Sequence, residues 1–334
     1  MKKAKILAAT ALLFLTACAD NAPYRIQSGF FSMDTYMEIT AYGSKGETAI
    51  ASCKDEICRL ESLLSVTVPD SDIGRLNSSG AAAVSPDTAE IIKYAKQIGE
   101  ETGGVLDITI YPVLKEWGFT TGDYRIPDED TLNTLLQKVD FTQIQIEDNT
   151  VAVPSGVQLD LGALAKGCAS DKAAEILKQS GIESALINLG GNIMTIGSNP
   201  NGSPWRIGIR NPFSSDENIG VLEVADKAVV TSGSYERFFT AEDGQVYHHI
   251  LDPATGAPAR SRLVSATVVG GSGMTCDALS TALFVMGKDK ALEYYREKGG
   301  FDMILVTESG EIFITEGIAD SFTGLTDMPL SICG

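Results

Sequence analysis

Asp160-Leu161-Gly162-Ala163-Leu164-Ala165-Lys166-Gly167 lies near the middle of a 334-residue chain. The extended Val157-Gln158-Leu159 precedes it, and residues 168–178, apolar at helical spacing, follow it and stop at Gly181. The pattern predicts a strand that ends at the acid and a helix that the glycines open. Such a corner turns unpaired backbone N–H groups and the positive end of a helix dipole toward one point, with a lysine close by. That is a site for an anion, phosphate above all. An ordinary helix start explains the glycines as readily, since the spacing is not the nucleotide-binding glycine fingerprint.

Outward from this corner the elements are mixed. Residues 33–41 alternate like a half-buried strand, and 47–64 have helical period. Residues 86–101 make a second helix with Ser85 as N-cap, Pro86 at its first position and Gly103-Gly104 as its stop, and 131–139 make a third. Strands are expected at 143–147, 150–153, 184–189, 205–210, 219–224, 227–231 and 245–250, and helices near 164–179, 277–285 and 288–298. A closing hairpin at 303–315 turns at Ser309-Gly310. Regular βαβ alternation is absent, so the expected class is α+β, with mixed, largely antiparallel sheets and packed helices. No repeat or low-complexity linker divides residues 30–334, which are expected to form a single domain.

The N-terminus predicts a compartment. Lys2, Lys3 and Lys5 precede an apolar run at 6–15, too short to span a bilayer, and Leu15-Thr16-Ala17-Cys18 resembles the lipoprotein cleavage box. Residues 1–17 are thus expected to be a lipoprotein signal peptide, Cys18 the lipidated end of the mature chain, and 18–29 a tether. The protein would be exported and lipid-anchored to a bacterial membrane on its extracytoplasmic face. The formal charge is −18, and loss of the signal removes three lysines and no acid. An acidic surface of this kind argues against nucleic acid or an anionic bilayer as the main partner, so a phosphate ligand must be held by local groups or a metal. Cys53, Cys58, Cys168, Cys276 and Cys333 remain. An odd count without paired metal-ligand spacing suggests neither a disulfide framework nor a zinc site, and all five are expected to be structural.

Four further stretches invite chemistry, and each, taken alone, also has a plain structural reading. Leu186 to Asn192 puts Gly190-Gly191 between two asparagines at the end of an apolar strand, which is either a close backbone approach to a ligand or a turn. Thr231-Ser232-Gly233-Ser234-Tyr235 is a hydroxyl-rich strand end. His248-His249-Ile250-Leu251-Asp252-Pro253-Ala254-Thr255-Gly256 holds both histidines of the chain, so a histidine-dependent step must lie there unless they only brace a turn. Asp277 and Thr281, in Thr275-Cys276-Asp277-Ala278-Leu279-Ser280-Thr281, share one helix face. They offer hard oxygen ligands suited to magnesium or calcium, or else an N-cap with a back-bonding threonine.

In this order these stretches, with Met33-Asp34-Thr35, Gly104-Val105-Leu106-Asp107-Ile108-Thr109 and Trp117-Gly118-Phe119, resemble the ApbE family of FAD:protein FMN transferases. The resemblance spans residues 30–315 and implies an ApbE-like, T-fold-like architecture. It also implies a Mg2+-dependent enzyme with FAD as substrate, which releases AMP and joins FMN through a phosphoester bond to a threonine or serine of an acceptor flavoprotein. Exported redox-complex subunits are the acceptors the family suggests. Carried over by position, Ala163, Asp277, Thr281 and a carbonyl near Ser280 would bind the metal. Met33, Thr67, Val105, Leu106, Asp107, Asp160, Lys166 and Ile250 would contact the flavin nucleotide. His249 is the candidate base or relay. Two departures stand out: Asp34, where the family often has glycine, and Ser234, where it frequently has aspartate. The alternatives are an FAD pyrophosphatase giving FMN and AMP, and a non-catalytic flavin-binding lipoprotein.

Overall fold

The computed structural model describes residues 24–242 and 244–334. The expected signal peptide, Cys18 and residues 18–23 of the expected tether therefore lie outside the described residues. Nine strands form the main sheet, side by side in the order in which the chain makes them: β1 (Arg25–Ser32), β2 (Thr35–Tyr42), β3 (Ala185–Leu189), β4 (Asn192–Ile196), β5 (Ala228–Gly233), β6 (Leu263–Gly270), β7 (Asp302–Thr307), β8 (Ile312–Thr315) and β9 (Leu330–Cys333). Every neighbouring pair is antiparallel except β8 with β9. The α+β class with largely antiparallel sheets is what the sequence predicts.

The period of two along each strand sorts its side chains between two cores. Ala228, Val230, Val268, Met303 and Leu305 join the core beneath the helices α1 (Gly46–Leu64), α2 (Pro86–Glu101), α3 (Ala165–Gln179) and α4 (Gly273–Met286). Val229, Val269, Ile304 and Val306 point the other way, onto a three-stranded sheet of Trp205–Arg210, Asn218–Val224 and Phe322–Gly324. In the first of these strands, Trp205, Ile207 and Ile209 are buried while Arg206, Gly208 and Arg210 are exposed. The molecule is layered as helices, large sheet and small sheet. A separate aromatic core of Trp117, Phe119, Phe239 and Tyr247 holds a hairpin, Phe238–Thr240 with Val246–His248, beside the helix layer.

Several expectations are corrected. The expected tether ends too late, because β1 begins at Arg25. Met33 and Asp34 are not inside a strand but form the two-residue turn between β1 and β2, both left-handed at φ 47° and 58°. Such a turn has the twist that antiparallel strands favour. Strand β6 is not among the expected strands, because it is buried on both faces and its run of Leu263 to Gly270 shows no alternation. The expected strand at 157–159 shrinks to a single bridge between Gln158 and Ile110. The strand at 245–250 reduces to Val246–His248, and the helix at 131–139 is Glu129–Leu136, capped by Asp128.

Helices α3 and α4 meet at their N-terminal ends through two glycines. A Cβ at Gly167 would stand 2.3 Å from the Gly273 carbonyl oxygen and 2.7 Å from the Asp277 Cβ, and one at Gly273 would stand 2.1 Å from the Ser170 hydroxyl. Asp171 on α3 caps the neighbouring helix, accepting hydrogen bonds from Gly273 N (2.6 Å), Met274 N (3.0 Å) and the Ser272 hydroxyl (2.8 Å). Overpacking a contact of this kind typically costs about 1–3 kcal/mol. Gly167→Ala should therefore lower the urea midpoint by a loss of roughly that size, whereas an unchanged midpoint would contradict the tight crossing.

Candidate active site

A cleft of about 520 Å³ opens between the β1–β2 turn, the loop around 105–110, the 160–166 corner, the end of β5, residues 249–253 and the start of α4. It gathers nearly every residue singled out from the sequence. Met33, Thr67, Val105, Leu106, Asp107, Asp160, Ala163, Lys166, His249, Ile250, Asp277 and Thr281 all line it. Ser280 does not. It is fully buried behind the wall, its hydroxyl 2.8 Å from that of Ser232 and donating to the Asp277 carbonyl at 2.9 Å. Ser234 is also outside the lining, turned toward the Val264 carbonyl.

The central corner is held from both sides. Asp160 N donates to the Ile108 carbonyl at 2.8 Å, and Asp160 Oδ1 accepts from Gly162 N at 2.7 Å, a local turn that fixes the carboxylate. Burial pushes its pKa up, against the Gly162 N–H and the nearby Arg237 and Lys166 cations. The start of α3 departs from the expected anion site. Ala165 N donates to the Leu161 carbonyl, and Gly167 N donates to Asp277 Oδ2 at 2.8 Å. The positive end of the helix thus faces a carboxylate of the protein itself.

Asp277 sits in the second turn of α4, whose N-cap is Ser272, so the capping half of the structural alternative falls away, while the Thr281 hydroxyl does lie 3.5 Å from the Asp277 carbonyl in the back-bonding position. Its side chain is 5% exposed, and burial raises its pKa despite Lys166, the Gly167 N–H and the adjacent Asn192 amide. Asn192 is 1% exposed, and its amide lies close enough to Asp277 to favour the carboxylate, although neither amide atom reaches good hydrogen-bond geometry with any group. Buried polar atoms left unpaired are costly, and this pair is short of a ligand. The Thr281 hydroxyl, also on the cleft, lies 3.1 Å from that of Ser232. Among the described residues no three His, Cys, Asp or Glu side chains converge as a metal cluster. A cation here would take one carboxylate and neutral oxygens, a donor set that suits a hard ion.

The structure divides the histidine motif. His249 lines the cleft, with its backbone N and its Nδ1 lying 3.0 and 3.2 Å from the Arg237 carbonyl oxygen. Nδ1 therefore carries a proton and donates, which leaves Nε2 with the lone pair. Burial, with Arg237 and Lys166 beside it, pushes the imidazole pKa down to about 4. His248 points away and packs edge-on to Phe284, with ring centroids 5.4 Å apart. Asp252 to Gly256 is a structural turn, pinned by the Trp117 indole donating to the Gly256 carbonyl at 2.7 Å.

Other supports had little signal in the sequence. Glu61 on α1 accepts from the Ser32 hydroxyl at 2.6 Å and from Met33 N at 2.8 Å, which fixes the β1–β2 turn at the cleft. Both Asp107 oxygens are engaged, Oδ1 by Thr109 N and hydroxyl at 2.8 and 2.6 Å and Oδ2 by Phe141 N at 3.1 Å. Glu61 looks like any charged residue on an amphipathic helix. Its partners lie about thirty positions earlier in a different element.

Comparison with known proteins bears on this cleft. A sequence model of the ApbE family matches residues 33–305. The FAD:protein FMN transferase of Treponema pallidum is 32% identical over 310 residues, covering 86% of this chain and 85% of the relative. That of Vibrio cholerae is 34% identical over 299 residues, covering 86% and 89%. Among solved structures, the ApbE protein of Thermotoga maritima superposes with a TM-score of 0.84 at 32% identity, covering 89% of this chain and 99% of its own. The Vibrio cholerae flavin transferase ApbE gives 0.80 at 29%, covering 90% and 99%. Fold, cleft and sequence agree: this chain belongs to the ApbE family.

Proposed function

We infer that this protein is an FAD:protein FMN transferase, and that the cleft joining Asp160, Lys166, His249, Asp277 and Thr281 is where it acts. The observation that carries this is the buried Asp277 carboxylate beside the unpaired Asn192 amide, in the same cleft as the corner expected to hold phosphate. In the reaction, the hydroxyl oxygen of an acceptor threonine or serine attacks the FMN phosphorus of FAD. The diphosphate P–O bond breaks, AMP leaves, and the hydroxyl proton must be taken up. His249, neutral at pH 7 with Nε2 unprotonated, is suited to take it. Lys166 offsets phosphate charge, Asp160 orients the adenosine end, and Met33, Thr67, Val105, Leu106, Asp107 and Ile250 shape the flavin pocket.

The Ala163 carbonyl, the Asp277 carboxylate and the Thr281 hydroxyl would hold Mg2+, and the Asn192 amide oxygen beside Asp277 is a further hard donor that lacks a well-formed hydrogen bond. Bound there, it would withdraw charge from the diphosphate oxygens. The N-terminal pattern supports an exported protein anchored through Cys18. Its acceptors would be flavoproteins on the same membrane face, such as exported redox-complex subunits. Serine at position 234 does not by itself favour hydrolysis, because that side chain is off the cleft.

Incubation with FAD, Mg2+ and an acceptor domain should release AMP and leave flavin fluorescence on the denatured acceptor. AMP without an adduct, across several acceptors, would indicate a pyrophosphatase, and no AMP would indicate a flavin-binding lipoprotein. Asp277→Ala should lower turnover by about 100-fold or more, the scale of losing a key electrostatic group, while keeping part of the flavin affinity. Exhaustive chelation should abolish activity and Mg2+ restore it; activity that survives chelation would remove Asp277 and Thr281 as metal ligands. Protonated His249 cannot accept a proton, so kcat/KM should stay level through neutral pH and fall only as pH drops toward about 4. His249→Gln should erase that acid limb. A limb near the ordinary histidine value of about 6.5 would contradict the role.

A further inference from the structure

Charge in the cleft is lopsided. Asp34, Glu61, Asp107, Asp160, Glu236 and Asp277 line it against only Lys166 and Arg237. A dinucleotide adds a diphosphate to that imbalance. Lys166 already has a part in holding it, whereas Arg237 has none beyond its backbone.

That backbone is fixed, because the Arg237 carbonyl accepts from both His249 N and Nδ1. Its side chain is not. The guanidinium reaches across the cleft mouth to Asp34 on the β1–β2 turn, Nη2 to Oδ2 at 3.9 Å, with the two side chains 50% and 87% exposed. An ion pair so long and so wet contributes little and is readily exchanged. A phosphate offers a guanidinium two parallel charge-assisted hydrogen bonds, a better partner than a distant exposed carboxylate. Arg237 and Lys166 both bear electrostatically on Asp160 and on His249, so the two cations bracket one region of the cleft. Asp34 itself occupies a left-handed backbone position at φ 58°, where glycine would be free of strain, yet the chain carries an acid there.

We propose that Arg237 is the second cation for the diphosphate of the bound dinucleotide, and that Asp34 competes for it across the cleft mouth and so sets nucleotide affinity. This rests on the FAD reading of the cleft and adds a specificity device to it. With nucleotide absent, the guanidinium rests on Asp34. With nucleotide present, it turns inward, and Asp34 is left to water. Riboflavin has no phosphate and should not sense the exchange.

The test is equilibrium binding of FAD and of riboflavin, followed by flavin fluorescence, to the wild type, Arg237→Gln, Arg237→Lys, Asp34→Asn and the Asp34→Asn/Arg237→Gln double variant. Arg237→Gln should weaken FAD about tenfold or more, the scale of a charge-assisted pair, and leave riboflavin within about twofold. Arg237→Lys should recover part of the loss. Asp34→Asn should tighten FAD several-fold in the wild-type background and have no effect once Arg237 is Gln, the coupling expected of direct competitors. Equal loss of FAD and riboflavin in Arg237→Gln, or an Asp34→Asn effect that persists without Arg237, would overturn the proposal. If the wild type binds FAD and Arg237→Gln binds it equally well, this inference alone falls. If the wild type binds no FAD, the reading of the cleft falls and takes this inference with it.

Discussion

The hydrogen bond from Gly167 N to the Asp277 carboxylate, 2.8 Å long, joins two parts of the chain separated by 110 positions. It exists because neither helix carries a side chain where α3 crosses α4, with glycine at 167 and at 273. Asp171 holds the same junction from the other direction by capping α4. Once the helices are this close, the corner that carries Asp160, Ala163 and Lys166 faces the helix that carries Asp277 and Thr281, and the end of β5 brings Ser232 against Thr281. Site and fold share one contact.

This contact also recasts the helix start. A free N-terminus would offer N–H groups directly to a phosphate. Here Gly167 N is given to a buried carboxylate instead, which secures an acid that burial would otherwise drive toward its neutral form. In the proposed reading the helix would act on a ligand through Asp277, the group its N-terminus holds. On that reading, this is how an acidic protein would hold an anionic nucleotide. Asp160, Glu61, Asp107 and Asp277 are tied to backbone N–H and hydroxyl groups, and Asp34 and Glu236 lie against Arg237 and Arg210, so little of the acidic lining is left unopposed.

What was legible in the sequence follows from range. The α+β class, the helices α1 to α4 and the closing hairpin rest on local period and on caps such as Ser85, and all are present. So do Gly190 and Gly191, whose φ of 65° and 93° make the β3–β4 turn. Strand β6 was missed because burial on both faces removes alternation. β1 was missed because it lies next to a segment that reads as a tether. In the site, eleven residues from the quoted motifs, and Thr67 placed by its distance from the segment at 71–77, converge on one cleft. The contacts of Glu61 with the β1–β2 turn, of Asn192 with Asp277 and of Arg237 with Asp34 join different elements, and no spacing within one element encodes such pairings. The histidine pair shows the limit most clearly: two adjacent residues on a short strand end point to opposite sides, one to the cleft and one to the core.

The central claim is that one cleft holds the dinucleotide and an oxygen-ligated cation together. A crystal structure of the protein with FAD and Mn2+, whose anomalous scattering marks the ion, tests this directly. The account predicts an anomalous peak bonded to Asp277 and Thr281 and in contact with the diphosphate, with Lys166 on the phosphates and the flavin against Met33 and Ile250. A peak away from Asp277, or a nucleotide bound outside this cleft, would contradict it.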